Sequence, residues 1–114
     1  LVILGGANRP TAREADDVLI ARSTILADHL DGALTRAGDL VIPLASGVLS
    51  RDAIPGEIGA LLEGRIVLPE KRDVTVFKSM GIATQDLVLA DARVARAVER
   101  GIGTSVDLTG EPPP

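Results

Sequence analysis

The chain opens on an apolar run, Leu1-Val2-Ile3-Leu4, stopped at once by Gly5-Gly6, which reads as a buried strand ending in a tight turn. Asn8-Arg9-Pro10 is a turn, and Pro10 or Thr11 opens a helix that Val18, Ala21 and Arg22 carry to about Arg22. Residues 24–27 form a short strand and residues 30–37 a short helix stopped by Gly38. Residues 40–50 are apolar but interrupted by Pro43 and Gly47, so they read as irregular with at most a short strand. Residues 55–63 read as a helix closed by Gly64, residues 66–68 as a brief extended piece, and residues 69–73 as a charged surface loop. Val74 to Phe77, dense in β-branched residues, is the clearest strand. From about Ile82 to Arg100, Leu87, Ala90, Val94 and Val98 recur at helical spacing and make one apolar stripe, which Gly101 ends. The tail, residues 108–114, is expected to be disordered.

Strands alternating with helices predict an α/β architecture with a mainly parallel sheet. Three strands make a thin one. A complete doubly wound domain carries more strands, and normally a glycine-rich phosphate loop after the first. No G-x-G-x-x-G occurs, and Gly101-Ile102-Gly103 follows a helix instead of a strand, so it reads as a helix stop plus turn.

Composition agrees with this picture. Of the 114 residues 46% are hydrophobic, nearly all of them aliphatic, and Phe77 is the sole aromatic. Such a core suits buried parallel strands and offers no stacking platform for bases. The net charge of −4 also argues against nucleic acid as a partner. The absence of cysteine excludes a thiolate metal site, and His29 alone leaves too few ligands for zinc, so no metal is expected. No apolar run approaches the ~18 residues of a membrane span and no signal peptide is visible, which makes a soluble, cytoplasmic protein without a membrane partner the expectation. Because termini usually sit at the surface, a start inside an apolar run reads as a fragment, a truncation or a missing front end.

In open α/β sheets, ligands bind beyond the carboxyl ends of the strands. Two junctions fit that rule: Leu4 into Gly5-Gly6-Ala7-Asn8, and Phe77 into Lys78-Ser79-Met80-Gly81, where free N–H groups and the Ser79 hydroxyl can donate to a ligand. By pattern alone each is also what an ordinary turn looks like. Asn8 is then a turn residue ahead of Pro10, Lys78 a surface charge at a strand end and Phe77 a core filler. Glu14, Asp16 and Asp17 read as a solvated helix start. Asp28-His29 follows a strand, but a lone histidine carries no assignment.

Thr75 to Asp86 (TVFKSMGIATQD) resembles the closing signature of the ornithine cyclodeaminase/mu-crystallin family, T-V-F-K-S-x-G-x-A-x-x-D. Gly6 to Asp16 is similar to that family's G-A-x-x-P-x-x-x-E-L-D, departing at Ala15, where leucine is usual. Ala37-Gly38-Asp39-Leu40 and the stretch from Glu57 to Gly64 resemble two further blocks in the right order, so the resemblance runs from about residue 1 to 107.

The resemblance implies a two-domain homodimer that uses NAD or NADP. Residues 1–73 would be the later half of its Rossmann-type nucleotide domain. Residues 74–107 would be a crossover strand and a helix returning to a second domain, for substrate binding and dimerisation. The phosphate loop, the substrate-binding Arg and the catalytic Lys would lie ahead of residue 1, so this segment alone is expected to be inactive. Ser79 matches a serine near the nicotinamide, flanked by Lys78 and Gly81, and Gly5 matches a position lining the cofactor cleft. Asn8 matches the place where ornithine cyclodeaminases carry a basic Asp, mu-crystallin-like reductases Ser and other members Asn. An amide cannot abstract a proton at neutral pH. The resemblance therefore implies an imine reductase or amino-acid dehydrogenase acting on a small cyclic imine or 2-imino acid. Ornithine cyclodeaminase and a non-catalytic NADP-binding protein are the alternatives.

Overall fold

Val74–Lys78 lies in the middle of a four-stranded sheet, in a computed structural model that describes residues 1–69, 73–106, 108 and 110. The strands are β1 (Val2–Leu4), β2 (Ser23–Ala27), β3 (Gly56–Glu57) and β4 (Val74–Lys78), in the order β1-β4-β2-β3 and parallel throughout. The expected parallel α/β sheet is present. One strand more than expected completes it.

Period-2 alternation sorts the side chains by face. Val2 and Leu4 of β1, Ile25 and Ala27 of β2, and Val74 and Val76 of β4 share one row, and all six belong to or pack against the hydrophobic core. Helices α1 (Asp17–Ala21), α2 (Leu30–Arg36) and α3 (Gly38–Ser46) supply Ile20, Ala33 and Leu40 to that same core. Strand β2, flanked on both sides, is buried at all five positions. Strand β1 is an edge, and its Ile3 points to the other face and is exposed, so the run is only partly the buried strand its sequence suggests. Phe77 is half-buried on that other face, outside the core cluster, which corrects its reading as a core filler.

Three helices differ from expectation for physical reasons. The helix expected from residue 10 begins only at Asp17, because the Asp16 side chain caps Leu19 N–H and Asp39 takes the N–H groups of Glu14 and Ala15. Residues 40–50, read as irregular, are largely helix α3. Pro43 sits inside it at the loss of one backbone bond, and Gly47 ends it at φ 76°, a conformation that favours glycine. Residues 56 and 57, read as the start of a helix, pair with Leu26 and Ala27 as β3, and α4 runs only from Ile58 to Leu62. Gly38 starts α3 instead of stopping α2. A Cβ there would meet the Ala12 carbonyl oxygen at 2.2 Å, so the position serves close backbone approach.

The boundary expected after residue 73 would set Val74–Lys78 apart from residues 1–73. In the structure this strand pairs with both β1 and β2, and the first compact unit runs from Leu1 to Ile82. The second unit, Ala83–Pro114, contains α5 (Ala83–Glu99), none of whose residues is buried, so the Leu87–Val94–Val98 stripe is an exposed apolar face. The charged loop and the disordered tail expected from the sequence fall mostly outside the described residues. Among the described residues no helix is long and apolar enough to cross a membrane.

Candidate functional site

Parallel pairing lines up the strand ends. Leu4, Lys78, Ala27 and Glu57 lie in register across the sheet, so the chain leaves it at four neighbouring points along one carboxyl edge. Gly5, Ser79, Asp28 and Ile58 are the first residues beyond that edge. Both junctions singled out in the sequence are therefore adjacent, and Ser79 N–H donates to the Leu4 carbonyl at 2.9 Å to join them.

Lys78 continues the core-facing row of Val74 and Val76, so alternation turns its side chain inward. It is fully buried, which overturns its reading as a surface charge. Burying an ammonium is costly unless oxygens replace its water, and three do. Lys78 Nζ donates to the Ala7 carbonyl at 2.6 Å and to Glu14 Oε2 at 3.0 Å. Asp39 Oδ2 lies 3.0 Å away, as an ion pair without hydrogen-bond alignment. The fully buried Asp39 uses its other oxygen to accept from Glu14 N–H at 2.7 Å and Ala15 N–H at 3.0 Å.

Glu14, read as part of a solvated helix start, belongs to this cluster. Its Oε2 accepts from Ala7 N–H at 2.9 Å as well as from Lys78. The Ala7 bond holds its carboxyl down at about 2; partial burial opposes this, and Lys78 and the Gly6 N–H reinforce it.

Ser79, one residue on, points to the opposite face and meets a different acid. Its Oγ donates to Asp28 Oδ2 at 2.9 Å, and Met80 and Gly81 N–H donate to the same carboxylate at 2.9 and 3.0 Å. His29 N–H adds a fourth bond at 2.8 Å. Asp28 is nearly buried; burial raises its pKa, but the bonds from Met80, Ser79, Gly81 and His29 outweigh that and hold it below the usual carboxylate range. The donors expected to greet a ligand are thus largely engaged by a residue of the chain itself. Gly81, at φ 74°, makes the turn that aims them.

The remaining groups are open. Gly5 is exposed, with no atom within 4 Å of where a Cβ would stand, and Asn8 is exposed on the same loop. With its O–H donated to Asp28, Ser79 Oγ retains lone pairs that can accept. His29 is a helix cap, its Nδ1 accepting from Gly32 N–H at 3.0 Å. Among the described residues no group of three or more His, Asp or Glu is placed to hold a metal ion. The Met80 and Gly81 N–H groups bind Asp28, and the Lys78 ammonium is paired with Glu14 and Asp39.

The model of the ornithine cyclodeaminase/mu-crystallin family matches residues 1–100. A Delta(1)-pyrroline-2-carboxylate reductase from Bacillus cereus is 35% identical over 105 residues, covering 90% of this chain and 32% of the relative. An iminosuccinate reductase from Paracoccus denitrificans is 29% identical, again over 90% of this chain and 32% of the relative. The solved Delta(1)-pyrroline-2-carboxylate reductase of Thermococcus litoralis, in complex with NADH and L-proline, superposes with a TM-score of 0.73 at 31% identity. That match covers 91% of this chain and 33% of that one. The chain spans about a third of the length of the relatives it matches.

Proposed function

We propose, from the premise that this chain belongs to the ornithine cyclodeaminase/mu-crystallin family, that it contributes the later half of a nucleotide domain to an NAD(P)-dependent reductase of small cyclic imines or 2-imino acids. The observation that carries the proposal is Asn8, an exposed amide on the loop beside the Ser79 strand end. A carboxylate there could take a proton from water or ammonium, whereas an amide can only orient a substrate by donating and accepting hydrogen bonds. Bound NADH or NADPH supplies the hydride for the imine carbon.

The chain's own residues bind and orient. Ser79 Oγ, its O–H donated to Asp28, would hold the nicotinamide carboxamide through its lone pairs. Gly5 would leave space for the cofactor beside the loop, and Gly81 shapes the turn. Lys78 acts from beneath, through the Ala7 carbonyl, and does not itself touch the cofactor. The names of relatives support the substrate class: two are reductases of pyrroline-2-carboxylate and iminosuccinate, and one was solved with NADH. The exposed stripe on α5 is proposed to belong to a second domain for substrate binding and homodimerisation.

The test uses the protein expressed from its complete gene. Loss of NADH or NADPH absorbance with pyrroline-2-carboxylate supports the reading. Ammonia and proline formed from L-ornithine without net NADH use would replace it with a cyclodeaminase, and NADPH binding without turnover of any imine would leave only a binding protein.

A further inference from the structure

Two ionisable residues of the core edge share one neighbour. Ala7 N–H donates to Glu14 Oε2 at 2.9 Å, and the Ala7 carbonyl accepts from Lys78 Nζ at 2.6 Å. Lys78 and Glu14 close the cycle at 3.0 Å. Both polar groups of one backbone residue are thereby held by a single ion pair.

The loop needs such a hold. Gly5, Gly6 and Asn8 are exposed, and no residue from 5 to 8 enters the hydrophobic core. Two consecutive glycines make it the segment with the most backbone freedom to lose. An apolar residue at position 78 would extend the Val74–Val76 row without burying a charge. A lysine there gains something an aliphatic residue cannot give, which is a donor placed under a loop carbonyl.

We infer that Lys78 and Glu14 form a clamp on Ala7 that fixes the position of Asn8, making both of them positioning residues for the chemistry at residue 8. Asp39 anchors the clamp from below, holding Lys78 with one oxygen and the Glu14 backbone N–H with the other. The clamp also couples the two junctions, because the strand end that grips Ala7 through Lys78 carries Ser79 on its next residue. The mechanical part of the inference stands on these distances alone; the positioning role rests on the reading of Asn8 as a substrate-facing residue.

The experiment measures amide hydrogen exchange by NMR on the protein expressed from its complete gene, as wild type and with Glu14→Ala and Glu14→Gln. Glu14→Ala should speed exchange of the Ala7 amide at least about tenfold and leave Ile25 and Leu26 in β2 within about twofold, as local opening does. Glu14→Gln, which keeps an acceptor, should fall between. In the protein from the complete gene, Glu14→Ala should lower kcat for pyrroline-2-carboxylate about tenfold with the NADH KM within about twofold, the signature of lost orientation rather than lost binding. The clamp is overturned if the Ala7 amide exchanges alike in all three proteins, or if Ile25 and Leu26 lose protection along with it. A released Ala7 with unchanged kcat overturns the positioning role. If the wild type reduces no imine, it is the functional reading that fails, and the exchange data still decide whether the clamp exists.

Discussion

Replacing Lys78 by Met removes one charge from the interior and strands another. Asp39 is fully buried, and it would keep two backbone N–H donors at 2.7 and 3.0 Å while losing the ammonium at 3.0 Å. Breaking a buried ion pair from one side costs about 3–5 kcal/mol, and the two surviving donors place this case near the lower end. The lost bonds to Ala7 and the more exposed Glu14 add about 1 kcal/mol or less. Methionine fills nearly the same volume, so no cavity term is expected. The sum is a loss of about 3–4 kcal/mol, a large part of the ~5–15 kcal/mol that holds a domain together. With a urea slope of about 1–3 kcal/mol/M, the unfolding midpoint should fall by about 1–4 M. Far-UV circular dichroism is the suitable probe, since the sequence has no Trp or Tyr to report by fluorescence. Adding Asp39→Asn to Lys78→Met keeps the acceptor for both amides and removes the stranded charge, and should restore about 1 kcal/mol or more. A single-variant loss under about 1 kcal/mol, or a double variant less stable than the single, would refute the account.

Gly38→Ala should destabilise by about 2 kcal/mol or more, because its Cβ would stand 2.2 Å from the Ala12 carbonyl oxygen and 2.9 Å from that of Arg9, backbone atoms that cannot swing aside. An unchanged melting temperature would show that the turn at residues 9–12 yields freely. Glu14 predicts the acid limb of stability. Its carboxyl is held at about 2 against an ordinary 4.5, so between those values the unfolded chain binds a proton that the native chain does not. Stability should then be full above about pH 4.5 and fall as pH drops toward 2, by about 1 kcal/mol from this group after allowing for its exposure. Glu14→Gln should flatten that slope without abolishing it, because Asp28 is shifted in the same direction. Identical melting-temperature profiles for the two proteins between pH 2 and 5 would contradict the assignment.

The sheet was legible because β-branched runs declare themselves locally, and β1, β2 and β4 all stand where the pattern puts them. Helix α3 was not, because Pro43 and Gly47 act as breakers in sequence, whereas in space one sits inside the helix and the other ends it. The start of α1 was hidden for a different reason: Asp39, a distant residue, takes the N–H groups that would have begun the helix earlier. At the site, the junctions after Leu4 and Phe77 were visible as strand ends, and their adjacency followed from parallel pairing. What Lys78 does could not be read, since its partner Glu14 lies 64 residues away and no spacing announces the contact. Even so, alternation from Val74 through Val76 would have turned Lys78 inward once that face was known to be the core. Asp28 was noticed beside His29 but passed over. Its role depends on N–H groups contributed by Met80 and Gly81, which only the fold brings near.

The hold on the loop before Asn8 is made through the main chain of Ala7 and never through the side chain at position 8. The two tasks, keeping the loop in place and choosing what it presents, are therefore assigned to different atoms. Amide, hydroxyl or carboxylate at residue 8 would inherit the same mounting, with the same donor and acceptor occupied one residue earlier. On the proposed reading of Asn8, geometry kept in the main chain and chemistry kept in one exchangeable side chain would make reductase and lyase near neighbours.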